Sequence, residues 1–241
     1  MAFVTSYSSR VLLGPLSLSA SLRSAGFTAT TDMHDVTTLV NAEKVFIPTL
    51  SSSSWAFDGP LDVDPTANLP FDILSDNWYS GELPVSYAPA GLAFGSAVIL
   101  ASAIETNFDT TAAVAGGIDW SAGGQTNGPA DVGVSLEDGL TAITADGNGT
   151  ARDNGAATAN GGIAQIHVTA FAGLTNNAVT IEHSVDGSTS WATLVTFATY
   201  TGLTSERVVV APGTTVRRYL RVVDNVTGTG STNRQVSFCR R

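Results

Sequence analysis

The sequence predicts a mainly β protein of two antiparallel domains with one short helix. Apolar and polar residues alternate in short β-branched or aromatic runs, Gly-, Asn- and Pro-containing turn signals separate those runs, and a single segment carries helical signals. Hydrophobic residues at 43% of 241 positions suffice to bury a core, which excludes wholesale disorder.

Along the chain, residues 35–44 carry the helical signals: Asp35 is placed to cap, with Val36, Leu39 and Val40 on one side. Residues 98–109 alternate, which sets Val98, Leu100, Ile104 and Phe108 on one face and Glu105, Asn107 and Asp109 on the other. After Gly116-Gly117, Ile118, Trp120 and Ala122 alternate with Asp119 and Ser121, so the two segments read as a long hairpin with an apolar and an acidic face. Residues 145–162 are rich in Asn and Gly and lack large apolar side chains, the composition of a linker. This divides the chain into a domain over 1–145, a linker over 146–162 and a domain over 163–241. In the last, the runs 163–171, 179–184, 191–199, 207–211, 216–223 and 235–238 read as short strands. Turn chemistry at Asn176-Asn177, Asp186-Gly187, Pro212-Gly213 and 228–230 separates them, the pattern of an antiparallel sandwich.

Charge is uneven. Residues 1–150 hold Arg10, Arg23 and Lys44 against sixteen carboxylates, a net −13; residues 151–241 hold eight arginines against five carboxylates, a net +3. A general nucleic-acid binder needs a clustered basic footprint to displace counterions, and neither part supplies one. Apolar stretches fall far short of the roughly 18 residues of a membrane span, and the first ten residues lack the basic-then-apolar order of a secretion signal. A lone Cys239 forms no internal disulfide framework.

Enzyme chemistry finds no foothold. There is no Gly-Lys-Ser/Thr phosphate loop and no Gly-x-Ser-x-Gly elbow. His34, His167 and His183 lack metal-ligand spacing, although His167 and His183 sit in alternating strands as possible neighbours on one sheet face. The carboxylates around Asp58–Asp64 and Asp146–Asp153 do not fit a twelve-residue calcium loop and suit turns equally. No catalytic, cofactor or metal residues are assigned. Trp55, Phe57, Trp78, Tyr79, Tyr87 and Trp191 form either a sugar-stacking platform or core and interface anchors.

Residues 33–62, MHDVTTLVNAEKVFIPTLSSSSWAFDGPLD, resemble the signature of the tail tube proteins of long, non-contractile-tailed bacteriophages. Asp35-Val36-Thr37, Phe46-Ile47, Leu50 and Trp55-Ala-Phe57-Asp-Gly59 carry the match, and residues 95–109 followed by Asp119-Trp-Ser-Ala resemble the family's later hairpin. Thr49 stands where the family usually has Gly, and Ser51 to Ser54 replace a turn glycine. The resemblance covers about residues 1–145.

It implies a tail-tube-type β-sandwich or half-barrel with one short helix, carrying an appended, outward-facing C-terminal sandwich. It also implies hexameric rings of the chain stacked into a hollow tube that conducts phage DNA during ejection without specific binding. Implied partners are a tape measure protein in the lumen and the tail terminator and distal tail proteins, in a virion assembled in the host cytoplasm. Glu105, Asp109 and Asp119 are the lumen-lining candidates, since carboxylates repel phosphate within a screening length of about 8 Å. Residues 1–22 and 62–85 are the segments expected to order on contact between copies. The alternative is a carbohydrate-binding tail-tip or adhesin protein.

Overall fold

The computed structural model describes residues 8–61, 81–112 and 116–241. They form an antiparallel β protein. In chain order the strands are β1 (Arg10–Leu13), β2 (Leu16–Ser17), β3 (Ser24–Asp35), β4 (Phe46–Pro60) and β5 (Glu82–Ala88). Next come β6 (Ala97–Ala112), β7 (Ile118–Thr126), β8 (Asp131–Ser135), β9 (Ala142–Ile143), β10 (Gly147–Asn148) and β11 (Arg152–Asp153). The last four are β12 (Gly162–Ser184), β13 (Ala192–Thr196), β14 (Thr204–Val210) and β15 (Tyr219–Arg240). A 3-10 turn spans Leu18–Ala20.

The chain divides into two compact units, one of Met1–Ala20, Leu83–Leu100 and Asp131–Arg241, the other of Ser21–Glu82 and Ala101–Ala130. This division differs from the one that composition suggests, because residues 145–162 contribute β10 and β11, both paired with β15.

The first unit is built on β12 and β15, paired from Gly162↔Arg240 to Ser184↔Tyr219. Each was expected as two strands separated by a turn. Instead the turn residues sit in β-bulges, where the register shifts between Val168 and Asn176. A bulge kinks a strand without reversing it. Gly173 and Gly228 adopt φ of 76° and 99°, and a Cβ at either would lie 2.7 Å from backbone atoms of the partner strand, so the bend needs glycine there. Both halves of the bent ribbon then face one core, where Ile166 and Val236 meet Val179, Ile181, Leu220 and Val222.

The opposite face of β12 and β15 serves a second cluster. Ile163 and Cys239 pack there with Leu12, Ala88, Leu92, Val98 and Leu100. Val11, Leu12, Leu13, Leu16 and Leu18 are all buried, so residues 8–22, expected to wait for a neighbour before ordering, contribute to the core of the isolated chain. Residues 1–7 and 62–80 of the segments so expected lie outside the described residues. Cys239 is 4% exposed, and burial pushes its thiol up to about 11.

His167 lies fully buried in this unit. Its Nδ1 is 2.8 Å from the Gly14 carbonyl, and its Nε2 is 2.8 Å from the Ser86 hydroxyl. Burial lowers the imidazole to about 4, so the ring is neutral: Nδ1–H donates to Gly14 and Nε2 accepts from Ser86. A Ser–His pair sealed this way meets no substrate; it ties β5 and β12 to the β1–β2 turn. His183 pairs with β13 and β15 at the other end of β12, so the two histidines are not neighbours on one sheet face. The unfolded imidazole ionises near 6.5 and the folded one only near 4, so its stabilisation is complete above the first value and lost as pH falls through the second. We expect about 3 kcal/mol of acid destabilisation from this residue. Urea unfolding of wild type and His167→Gln across that window should show a flatter pH slope in the variant.

Candidate assembly surface

The second unit is an antiparallel sheet in the order β3-β4-β7-β6. Residues directly opposite one another share a face. One face carries the rows Phe27–Trp55–Gly124–Glu105 and Ala25–Phe57–Ala122–Phe108. Trp55, Phe57 and Trp120 are buried there, with Trp55 against Phe57 and Phe108 stacked on Trp120. The open face carries Thr28–Ser54–Gln125–Ile104, Gly26–Ala56–Gly123–Asn107 and Ser24–Asp58–Ser121–Asp109. A depression of about 440 Å³ runs over it, lined by Ser24, Gly26, Ser54, Asp58, Asn107 and Ser121.

The three acidic candidates therefore part company. Asp109 and Asp119 stand on the open face, but Glu105 stands on the apolar one. Simple alternation puts residues 105, 107 and 109 together, and it fails because Thr106 is an extra residue: the β6–β7 register shifts between Glu105 and Asn107. One inserted residue flips every side chain beyond it. For the same reason Ile104 is exposed on the open face while Phe108 is not. Thr106 is held at the bulge by its hydroxyl donating to the Gly123 carbonyl.

Asp119 accepts both arms of the Arg23 guanidinium at 2.9 Å, which hydrogen-bonds its carboxylate and holds it below the usual range. Asn107 donates to Asp109 at 3.1 Å. Asp58, in the same row as Asp109, completes the acidic group on this face. Neither Trp55 nor Phe57, two of the six rings of the sugar-platform alternative, is available to a ligand, at 3% and 1% exposure. Trp78 and Tyr79 lie outside the described residues. Trp191, in the first unit, is covered by the Arg221 guanidinium at 4.1 Å.

Glu105 is half-buried beside Gly124, and neither of its carboxylate oxygens has a hydrogen-bond partner among the described residues. The adjacent Trp55 indole N–H is likewise unpartnered and lies over Gly124, where a Cβ would sit 2.7 Å from it. Burial raises Glu105 to about 7. Its carboxyl ionises near 4.5 when unfolded, so the stability it contributes in acid declines as pH rises from 4.5 through 7. Glu105→Gln removes that loss. After discounting for its half exposure, we expect the variant to gain about 1 kcal/mol over wild type above neutrality, read by urea unfolding, and little in acid.

The far half of the β3–β4 ribbon is exposed on both faces. Residues 35–44, expected to be helical, instead supply the last residue of β3 and most of the loop that closes the ribbon before β4. Asp35 accepts from the Thr37 N–H at 2.9 Å and Asn41 from the Thr38 N–H at 2.7 Å, so side-chain oxygens satisfy the local backbone in place of helical bonds. Two of the three apolar residues that suggest a helix face project into solvent: Leu39 and Val40 are 107% and 93% exposed, and Met33, Phe46, Ile47 and Leu50 of the ribbon are exposed as well. Along its other side, β3 has no strand partner among the described residues. Over twelve residues this edge carries no proline or lysine, and Asp32, Asp35 and a register shift between Thr31 and Met33 fall in its far part.

No protein-family model matches the chain, and no curated protein matches it. Among solved structures it is similar to the virion of a native gene transfer agent particle, at 16% identity over 51% of this chain and 94% of that one, TM-score 0.40. It is similar to the SPP1 tail tube at 9% identity over 52% of this chain and 77% of that one, TM-score 0.44. It is also similar to the SPP1 Dit protein, described as a hub of the adsorption apparatus in phages infecting Gram-positive bacteria. There the identity is 12% over 96% of this chain and 99% of that one, TM-score 0.39.

Proposed function

We propose that the chain is a structural phage-tail protein that assembles with copies of itself through the β3–β4 ribbon, and that it is the major tail tube subunit, stacked as hexameric rings. The observation that carries this reading is the ribbon. A two-stranded hairpin exposed on both faces is marginal in water and needs a third strand or a covering surface. Here it presents apolar side chains and an edge with no strand partner among the described residues, the features by which one sheet adds to another. A second copy supplies both a sheet margin and an apolar surface. The resemblance of residues 33–62 to tail tube proteins supports the same reading.

In this proposal the open face of the β3-β4-β7-β6 sheet lines the channel. Its small, mostly uncharged side chains, with Asp58, Asp109 and Asp119 and with Arg23 already paired, offer phosphate no cationic foothold, so DNA passes without adhering. Glu105 belongs to the wall's interior. Residues 163–241 lie on the outer surface of the assembly, and the tape measure, terminator and distal tail proteins are its partners. Negative-stain microscopy of the purified protein tests the reading: hollow rings or filaments are expected, and a dispersed monomer at all concentrations would overturn it.

A further inference from the structure

The first unit contains a cavity of about 320 Å³. We propose that it is a binding site for one hexopyranose unit of a glycan. The bend of β15 at residues 228–230 folds Arg234 back over Asp224 and creates the floor. The Arg234 side chain is fully buried; its Nη2 lies 2.9 Å from Glu137 Oε1 and 2.6 Å from Asp224 Oδ2. Asn177 donates to the other Asp224 oxygen at 2.9 Å, which fixes that carboxylate. Nε and Nη1 of Arg234 and Oε2 of Glu137 have no hydrogen-bond partner among the described residues. Buried donors and acceptors are ordinarily paired, so idle ones on residues that line this cavity mark places for a ligand's polar atoms.

The charges select the ligand's class. Asp224 and Glu137, the latter raised to about 7 by burial, flank one guanidinium, so an anion meets the Asp224 charge and a cation meets Arg234. A neutral hydroxyl both accepts from a guanidinium and donates to a carboxylate, and adjacent hydroxyls of a sugar ring can serve both. The walls suit the rest of the ring. Phe94, Leu136, Ile143 and Val222 offer apolar surface to its C–H faces, while Asn148 and Thr150 stand among the other lining residues. The volume lies near the lower end of small-molecule sites, about 300–1,000 Å³. The Asn/Gly-rich segment thus contributes a wall: β10 pairs with Val223 and Asp224, holding residues 147–150 against the cavity.

The site does not depend on assembly, so its test reads separately from that of the tube. Saturation-transfer NMR and calorimetry on the full chain would use D-glucose, D-galactose and N-acetyl-D-glucosamine, with inorganic phosphate as the anionic control. At least one sugar should bind saturably, with a dissociation constant of millimolar order, as expected for so small a ligand, and phosphate should not. Thr150 is exposed, so Thr150→Trp fills the cavity with little cost to the fold; it should weaken sugar binding at least roughly tenfold with an unchanged thermal melt. Failure of all three sugars to bind folded protein, binding of phosphate instead, or undiminished sugar binding by Thr150→Trp would each overturn the proposal.

Discussion

Leu39→Glu combined with Val40→Glu should abolish assembly while leaving the monomer folded. Both side chains are fully in solvent, so the substitutions remove no packing within the chain, and surface changes of this kind move stability by about 0.5 kcal/mol or less. Buried against a second copy, each contributes about 1.5–3 kcal/mol, or about 3–6 kcal/mol for the pair at every contact. That corresponds to about a hundredfold to ten-thousandfold in affinity per contact, before the further cost of desolvating two carboxylates. In the proposed ring the contact repeats around the circumference, so the loss compounds. Light scattering behind size exclusion should report a monomer with wild-type circular dichroism. Assembly that persists at wild-type protein concentration would remove the ribbon tip from the interface.

A chain truncated after residue 150 should fail to fold its first unit. Composition suggests that residues 163–241 form a separable sandwich, and truncation would then be harmless. In the structure, however, β12 and β15 cover the cluster of Leu12, Ala88, Leu92, Val98 and Leu100 through Ile163 and Cys239. β15 also pairs with β8, and Asp131 receives both arms of Arg241. Cutting these strands away exposes that cluster and removes the hydrogen bonds of His167 to Ser86 and Gly14. Losing several buried side chains at about 2–5 kcal/mol each exceeds the 5–15 kcal/mol that stabilises a typical domain. The truncated chain should lose its near-ultraviolet dichroism and bind a hydrophobic dye; a cooperative melt with native tertiary signals would contradict this.

The difference between those two outcomes lies in what a local pattern can specify. The β class follows from period-two alternation and turn residues, which act on neighbours in sequence. So do the core positions of Trp120, Ala122, Ile163 and Val236, and the pairing of β6 with β7. The acidic first part likewise foreshadows Asp109 and Asp119 on one sheet face.

Other features depend on partners distant in sequence. Asn176-Asn177 and residues 228–230 carry ordinary turn chemistry, yet they bend two long strands, because each strand finds its partner on the far side of the bend. Val36, Leu39 and Val40 have helical spacing, but a loop satisfied by Asp35 and Asn41 forms instead and leaves Leu39 and Val40 in solvent. Glu105 has the parity of Asp109, and only the Thr106 bulge, defined by its register against β7, moves it to the other face. Arg234, Asp224 and Glu137 are unremarkable in the chain and meet only after β15 folds back. Alternation and turn propensity are thus properties of the sequence itself, whereas register and bend direction come from long-range pairing, since one extra residue in a strand reverses which side each later side chain faces.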